Sequence, residues 1–271
     1  MKDDCSLNDD KFGKAVGMSR SMLYYHHKLP DKDWQLKQQI EIALREKPSY
    51  GHKRLAGHLH INKKRILRVM KLFGIKPYRR RGRKWKKPSK DYSKEYPNLL
   101  LTEFPQYPHH IWASDFTYIP FGKRTVYLAT VIDLFTREIV GFAVLLNHSA
   151  NLVMNALLSA VSKYPTPKIT HSDQGSEYVS KDYIILETNL GITPSMSRKA
   201  CPWENGYQES FYSQFKIDLG DPNRFNHLGE LVWSIYKTIH NYNTNRIHTK
   251  LKMPPAEFAK RHQEKVELLL E

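Results

Sequence analysis

The centre of the chain contains the run Ile111-Trp112-Ala113-Ser114-Asp115-Phe116-Thr117-Tyr118-Ile119. Such β-branched and aromatic residues favour a strand, and two similar runs follow at 125–132 and 139–146. The turn residues Pro120-Phe121-Gly122-Lys123 separate the first two runs, and residues 133–138 separate the second and third. The three runs therefore predict consecutive antiparallel strands.

Helices and strands alternate after these runs. Ser149 is placed to cap a helix, because apolar residues recur at helical spacing behind it: Val153, Ala156, Leu157, Ala160 and Val161. A strand over 168–172, a helix around 181–189, a strand over 192–195 and an amphipathic helix from about Trp203 follow. This order predicts an α/β fold, a mixed sheet with flanking helices.

The first hundred residues have a helical pattern instead. Residues 8–27 fit two short helices, either a helix-turn-helix-like segment or a simple helical hairpin. A helix over 33–46 ends before Pro48, because the residue before a proline is driven out of the helical region. Two more helices follow, with Leu55 on the buried face of the first and Asn62 as the cap of the second.

The positive charge of the chain is concentrated in one segment. The 271 residues include 43 Lys and Arg against 27 Asp and Glu, a formal net charge of +16. Residues 53–94 carry 17 basic side chains and one acidic side chain, whereas residues 95–271 carry 17 and 18. A block of this kind repels itself unless a polyanion neutralises it, so nucleic acid is the expected partner.

We expect most DNA-contacting side chains in this basic segment. The helix after Asn62 places its basic residues on the outside, as docking against DNA requires, and the basic run after it has no apolar period. The predicted DNA-binding residues are Lys53, Arg54, Lys63, Lys64, Arg65, Arg68, Arg79, Arg80, Arg81, Arg83, Lys84, Lys86, Lys87 and Lys216.

Cysteine usage and hydropathy exclude several protein classes. Cys5 and Cys201 have no metal-ligand spacing, which excludes a disulfide scaffold and a cysteine-based zinc finger. No run of 18 apolar residues occurs, and the first residues lack the apolar centre of a signal peptide. We therefore expect a cytoplasmic protein without a membrane partner.

Three acidic residues are candidates for chemistry. Asp115 interrupts a strand, where a buried unpaired carboxylate is costly, and Asp173 follows the end of another strand, where open α/β sheets present ligand-binding side chains. On a helical wheel, Glu209 faces away from an aromatic stripe that is expected to pack on the sheet, formed by Tyr207, Phe211 and Phe215. Its own face carries Asn205, Ser213 and Lys216.

The spacing of these acids leaves two interpretations. Three carboxylates from two strands and a helix suit two hard divalent metal ions that activate an oxygen nucleophile on a phosphodiester. Alternatively, Asp173 forms an Asx turn ahead of Gly175 and Glu209 pairs with Lys216 or Ser213.

Several motifs, taken in order, resemble the second-frame (OrfB) transposases of the insertion-sequence-three family. The matching segments of the central part are 112–119, 131–137, 171–178, 195–199 and 209–211. Between Asp173 and Glu209 there are 35 residues, the spacing of that family. Residues 241–258 resemble its C-terminal signature, and residues 50–65 resemble its upstream helix-turn-helix.

The resemblance implies a ribonuclease H-like fold with Asp115, Asp173 and Glu209 as catalytic metal ligands. It implies two Mg²⁺ ions, with Mn²⁺ as an alternative, cleavage of DNA to a 3′-OH, and strand transfer by that 3′-OH. The implied partners are double-stranded DNA, as terminal inverted repeats and target, further copies of the chain, and an upstream-frame protein or fusion. The implied location is the bacterial cytoplasm, with association to the nucleoid when DNA is bound.

The residue patterns and the resemblance together suggest five regions. We expect a helix-turn-helix-like segment at 1–30, a second helical DNA-binding domain at 31–76 and a basic linker at 77–104. The ribonuclease H-like catalytic core is expected at 105–220, followed by a C-terminal helical extension at 221–271.

Two departures and two rival functions accompany this assignment. The chain has Glu204 and Gly206 where the family has other residues ahead of the catalytic Glu, and Gly206 weakens a helix start by about 1 kcal/mol. One rival function is a nuclease that cuts without joining. The other is a DNA-binding regulator without enzymatic activity, a separate frame of a split transposase.

Other histidine and acidic motifs have simpler interpretations. His58 and His60 resemble a nuclease element, but residues two apart do not share a helix face. We expect His109 and His110 to be surface or capping residues, and Asp133 and Glu138 to shape a strand turn rather than to bind metal.

Overall fold

The computed structural model describes Gly17 and residues 29–78, 96–198 and 201–270. The helices expected over 8–27 and the predicted DNA contacts from Arg79 to Lys87 lie outside these residues. None of the helices within the described ranges is long and apolar enough to cross a bilayer.

Eight α-helices and five strands form the described part of the chain. The helices are α1 (Leu29–Glu46), α2 (His52–Leu59), α3 (Lys63–Leu72), α4 (Ala150–Val161), α5 (Lys181–Asn189), α6 (Gly206–Leu219), α7 (Leu228–Thr244) and α8 (Pro255–Leu270). The strands are β1 (Ile111–Phe121), β2 (Arg124–Asp133), β3 (Ile139–Leu145), β4 (Ile169–Ser172) and β5 (Thr193–Met196). The strands match the predicted runs closely.

The five strands form one mixed sheet in the order β3-β2-β1-β4-β5. β1, β2 and β3 pair antiparallel, as the three successive runs predicted, while β4 pairs parallel to β1 and β5 parallel to β4. The expectation of a mixed sheet with flanking helices is confirmed. β1 is the central strand, with β2 on one side of it and β4 on the other.

Each face of the sheet is covered by its own helices. Alternate residues of β1 enter opposite apolar clusters, Ile111 and Ala113 on one face and Trp112 on the other. The first cluster contains Phe211 of α6 and residues of α7, and the second contains residues of α4 and α5. The sheet is therefore the middle of three layers, and the odd-numbered side chains of β1 point toward α6.

The N-terminal helices α1, α2 and α3 have a separate small core. It contains Leu36 and Ile40 of α1, Leu55 of α2, and Ile66 and Val69 of α3. The side chain of Asn62 accepts a hydrogen bond from the Lys64 N–H at 2.9 Å, so the predicted cap is confirmed.

Helix α1 begins at Leu29 rather than at Asp33 and runs across the expected boundary at residue 30. Pro30 does not stop the helix, because proline is tolerated in the first turn, where its missing N–H has no helical partner.

The apolar core continues past residue 220 into α7. Leu231, Ile235, Ile239 and Tyr242 belong to the same cluster as β1 and α6. This helix of the expected C-terminal extension packs on the protein's own sheet, so the catalytic and C-terminal regions share one core.

Candidate active site

The parallel pairing of β1 and β4 aligns two of the three predicted acids. Ala113 is paired with His171, the last pair in that ladder, and Asp115 and Asp173 each lie two residues further along. Continuing the register places Asp173, just after the end of β4, beside Asp115 in the middle of β1, and neighbouring strands are about 4.8 Å apart in such sheets.

Asp115 is held in its strand by bonds to its own backbone and to α6. Its Oδ1 accepts a hydrogen bond from the Phe116 N–H at 2.8 Å, and its carbonyl oxygen accepts one from the Tyr212 hydroxyl at 2.6 Å. These bonds fix the carboxylate on the face of the sheet that α6 covers.

Asp173 forms a tight turn just after β4. Its Oδ1 accepts a hydrogen bond from the Gly175 N–H at 2.9 Å. A Cβ atom at Gly175 would lie 3.0 Å from that same oxygen, so a larger residue would force the carboxylate to shift by a few tenths of an ångström. The Asx turn that was the alternative interpretation of Asp173 is present, and it orients this side chain.

Glu209 is carried by α6, which a buried amide fixes to the sheet. Gln208 is fully buried and donates to the carbonyl oxygens of Ala113 at 2.6 Å and Thr130 at 3.0 Å, while its Oε1 accepts from the Thr130 hydroxyl at 3.0 Å. The next residue, Glu209, is exposed. Sequence reasoning missed Gln208 and Tyr212, because nothing in the helical period marks a buried polar residue as an anchor.

The three carboxylates repel one another. The pKa of Asp115 is raised to about 8, first by burial and then by the negative charges of Asp173 and Glu209, against the opposing effects of the Phe116 N–H and the Lys216 ammonium. The pKa of Asp173 is also raised, first by desolvation and then by the charge of Glu177. An anionic cluster of this kind favours a bound cation.

The donor set consists of carboxylate oxygens, which hard divalent cations prefer. Within the described residues, no three His, Cys, Asp or Glu side chains are already arranged as a metal centre. The chemistry of the site fits a divalent ion, and closing the carboxylates around it requires side-chain movement, for which the exposed Glu209 has room.

A His148 and Glu177 pair adjoins the triad and was not identified from the sequence. His148 Nδ1 lies 2.8 Å from Glu177 Oε1, and the imidazole stacks on Phe116 with the rings 6.4 Å apart. Burial alone would raise the pKa of Glu177, but its hydrogen bonds, the strongest from His148, lower it. Glu177 therefore supplies a fixed negative charge next to Asp173.

The aromatic stripe predicted for α6 is partly wrong. Phe211 and Phe215 are buried as expected, but Tyr207 is 39% exposed. The guanidinium of Arg137 lies 4.1 Å from the centre of the Tyr207 ring, so a cation–π contact with the β2–β3 turn replaces packing on the sheet. Tyr212 takes the buried position, with its hydroxyl accepting a hydrogen bond from Thr130 at 2.9 Å.

The predicted DNA-binding residues separate into two groups. Lys53, Lys63, Lys64 and Arg65 are exposed on α2 and α3. Of these, Arg65 donates to the Lys32 carbonyl oxygen at 3.4 Å. The other described ones contact side chains of the protein: Arg68 donates to the buried Asp33 at 2.7 Å, Arg54 donates to Gln214 at 3.2 Å, and Lys216 lies 4.9 Å from the Tyr118 ring centre. Binding of both groups to DNA stays a prediction.

The two departures from the family pattern have different structural roles. Glu204 forms an ion pair with Arg198 and accepts from Asn98 at 2.9 Å. Burial would raise the pKa of Glu204, but the bonds from Arg198 and Asn98 lower it. A Cβ atom at Gly206 would meet only open space, so this glycine is not required by packing.

Asp133 shapes the turn between β2 and β3, as expected. It is fully buried and accepts hydrogen bonds from the Thr136 hydroxyl at 2.7 Å and the Phe135 N–H at 3.1 Å. His109 donates its backbone N–H to Asp133 at 3.3 Å, and His60 caps α2 in a left-handed conformation.

Comparison with known proteins places this architecture in a family. Residues 105–202 and 190–255 match two families that are both described as "Integrase core domain". The chain is 36% identical to the transposase for insertion sequence element IS904 of Lactococcus lactis over 83% of this chain and 93% of that protein. The chain belongs to the insertion-sequence transposases. The resemblance to the insertion-sequence-three family is thereby confirmed.

Two further similarities support this membership. The putative transposase InsK for insertion sequence element IS150 of Escherichia coli is 30% identical over 92% of each chain. A chain in the structure of the simian T-cell lymphotropic virus intasome in complex with PP2A regulatory subunit B56 gamma has a TM-score of 0.52 at 15% identity, over 77% of this chain and 74% of that one. At that identity the similarity concerns the fold, and the fold of this transposase is that of an integrase core.

Proposed function

We propose that the chain is a DNA transposase that cuts the ends of its element to a 3′-OH and joins that 3′-OH to target DNA by metal-dependent phosphoryl transfer. The alignment of Asp115 with Asp173, next to the helix of Glu209, is the observation that carries the proposal. Transposases among its relatives and the integrase-type fold support it.

Asp115, Asp173 and Glu209 would hold the divalent ions. When bound, such ions supply activation of an oxygen nucleophile and neutralisation of charge on the leaving oxygen. We take Mg²⁺ as the physiological ion, with Mn²⁺ as an alternative, and two ions for each site.

The residues of the chain position the reacting groups. Gly175 orients the Asp173 carboxylate, and Gln208 and Tyr212 fix α6 against β1 and β2, which would keep Glu209 near the two aspartates. Exposed cations on α2 and α3, together with the basic segment, would hold double-stranded DNA, both terminal repeats and target. Joining two ends requires more than one copy of the chain, with or without the upstream-frame protein.

The test compares Asp173→Asn and Glu209→Gln with the unaltered chain on DNA that carries the element ends. We expect both variants to bind DNA as tightly as the unaltered chain but to lose Mg²⁺-dependent cleavage and joining by at least a thousandfold, about 4 kcal/mol in the barrier. Glu230→Gln, on the surface of α7, is the matched control and should leave both steps unchanged.

Three results would contradict the proposal. Joining by either variant would disprove the triad assignment. Free cut ends without joined product from the unaltered chain would indicate a nuclease. If the unaltered chain binds DNA but cleaves it only when the upstream-frame protein is added, the chain is a regulator that lacks activity by itself.

A further inference from the structure

A cavity of about 430 Å³ lies where the N-terminal helices meet α6 and the segment that follows α7. Three elements supply its permanent cations: Arg54 from α2, Arg137 from the β2–β3 turn, and Arg246 and Lys250 from the segment after α7. This cavity, which we call the arginine pocket, has no carboxylate among its lining residues. The proposed active site does not account for it.

Several buried donors in the arginine pocket have no partner. Within the described residues, Arg54 Nε, Arg137 Nη1 and His248 Nδ1 are buried without a hydrogen bond. A buried polar group left without a partner destabilises the folded protein. Two of these atoms, Arg54 Nε and Arg137 Nη1, can only donate, so they indicate an acceptor that binds in this cavity.

Arg137 is the most informative of these residues. It is only 5% exposed, and no carboxylate of the described residues pairs with it. Its backbone is left-handed, with φ of 66°, a conformation that is strained for a residue with a side chain. The left-handed conformation belongs to the β2–β3 turn, where the Arg137 N–H donates to the Asp133 carbonyl oxygen at 2.8 Å, and the guanidinium contacts the Tyr207 ring. Buried arginines are almost always paired with an anion, so the absence of a carboxylate partner among the described residues leaves the charge of Arg137 open to an anionic ligand.

Arg246 provides the contrast within the same cavity. It forms an ion pair with Asp218 and donates to Ser49 at 2.8 Å and to Gln214 at 2.6 Å. Through these bonds it joins the N-terminal helices to α6. Its charge is compensated, whereas those of Arg137 and Lys250 are available to a ligand.

We propose that the arginine pocket binds a phosphate group of a DNA strand. Guanidinium groups match the oxygens of phosphate with two parallel hydrogen bonds, and those of Arg54 and Arg137 both line this cavity with an unpartnered N–H. The exposed Tyr207 ring in the same cavity can stack on a sugar or base.

The position of the arginine pocket favours DNA over a free anion, an argument that rests on the proposed function. Ser210, the residue after Glu209, lines the cavity, and Arg54 belongs to the helical pair expected to meet DNA. A DNA strand whose phosphate is bound here would therefore lie close to both the acidic triad and the N-terminal helices.

The first experiment titrates the full chain with inorganic phosphate at constant ionic strength, by calorimetry and by melting temperature. We expect phosphate to bind and to stabilise the chain. Arg137→Gln should weaken binding at least tenfold and Lys250→Gln about threefold. Lys163→Gln, an exposed lysine outside the pocket, is the matched control and should bind as the unaltered chain does.

Lys250 is exposed, so its variant tests the proposal even if loss of the buried Arg137 impairs folding. Arg137→Lys adds a second check, because lysine retains the positive charge but cannot donate the two parallel hydrogen bonds of a guanidinium. Equal phosphate binding by the unaltered chain, the Arg137 variants and Lys250→Gln would disprove the arginine pocket. Absence of phosphate binding to the unaltered chain would also disprove it.

The second experiment identifies the source of the phosphate group. Single neutral methylphosphonates are placed along duplex DNA carrying the element end. We expect one or two positions to weaken binding by the unaltered chain about tenfold, and Lys250→Gln to lose most of that sensitivity. If no position depends on Lys250 while inorganic phosphate still binds, the ligand is a free phosphate compound and the DNA assignment is wrong.

These tests are independent of catalysis. Asp173→Asn should bind phosphate as the unaltered chain does. A chain that binds phosphate through Arg137 and Lys250 but never cuts DNA would leave the arginine pocket intact and overturn only the proposed function.

Discussion

At the scale of single residues, the site depends on small groups that keep the carboxylates in place. Gly175 shows this most directly, because its N–H bonds to the Asp173 carboxylate and the position of its missing side chain lies 3.0 Å from the same oxygen. Gly175→Ala should displace that carboxylate and reduce cleavage by about tenfold to a hundredfold with little change in melting temperature. Gly206→Ala, which meets open space, is the control; an equal loss in both variants would contradict the role of Gly175.

Glu187 gives a prediction about pH and stability at the same scale. This side chain is 2% exposed, and burial raises its pKa to about 7, while the Thr170 hydroxyl donates to it. The folded protein therefore retains a proton that the unfolded chain releases near its usual pKa of 4.5, so stability should fall as pH rises from about 4.5 to about 7.

Glu187→Gln should remove this loss, which is about 3 kcal/mol at most. Urea unfolding at pH 5 and pH 8 measures it, with Glu264→Gln on the exposed part of α8 as the control. A pH dependence unchanged by Glu187→Gln would show that its carboxyl group is ionised in the folded protein.

At the scale of elements, the attachment of α6 to the sheet connects stability to catalysis. Gln208→Ala removes three hydrogen bonds to Ala113 and Thr130 and leaves their buried groups without partners. We expect a loss of about 2–4 kcal/mol in the free energy of unfolding and a larger fall in cleavage than stability alone explains. Gln263→Ala on α8 has an exposed side chain and should change neither; preserved stability in Gln208→Ala would contradict this anchoring.

The sequence predicts these elements well and their attachments poorly. The strands follow from β-branched runs, and Asp115 is noticeable because a carboxylate in a strand is unusual. The exposure of Tyr207 and the burial of Gln208 depend on Arg137 and Thr130, which approach from distant parts of the chain. Contacts with residues that are distant in the sequence do not appear in the hydrophobic periodicity of a single helix.

At the scale of the whole molecule, charge is divided between regions with different tasks. Residues 53–94 hold the net positive charge, while the acidic triad lies in a region that is nearly neutral. Replacing Arg79, Arg80, Arg81 and Arg83 by Gln should reduce the slope of log affinity against log salt by about 0.9 for each phosphate that these arginines neutralise.

The control for this prediction neutralises four exposed lysines elsewhere, Lys163, Lys181, Lys237 and Lys260. DNA binding measured between 50 and 200 mM salt, roughly the range over which such ionic interactions change affinity most visibly, compares the two sets. Equal slopes of log affinity against log salt for the two variants would show that the main phosphate contacts lie outside the basic segment.

The shared core of the sheet and α7 has a consequence for shortened forms of the protein. A chain terminated after residue 220 would lack Leu231, Ile235 and Ile239, which cover Phe211 and Phe215. A premature stop codon there would leave an exposed, aggregation-prone apolar surface in a chain that still contains all three acidic residues. Such a product should aggregate or be degraded instead of persisting as an unregulated DNA-cutting enzyme, so α7 makes activity conditional on synthesis of the chain beyond residue 220.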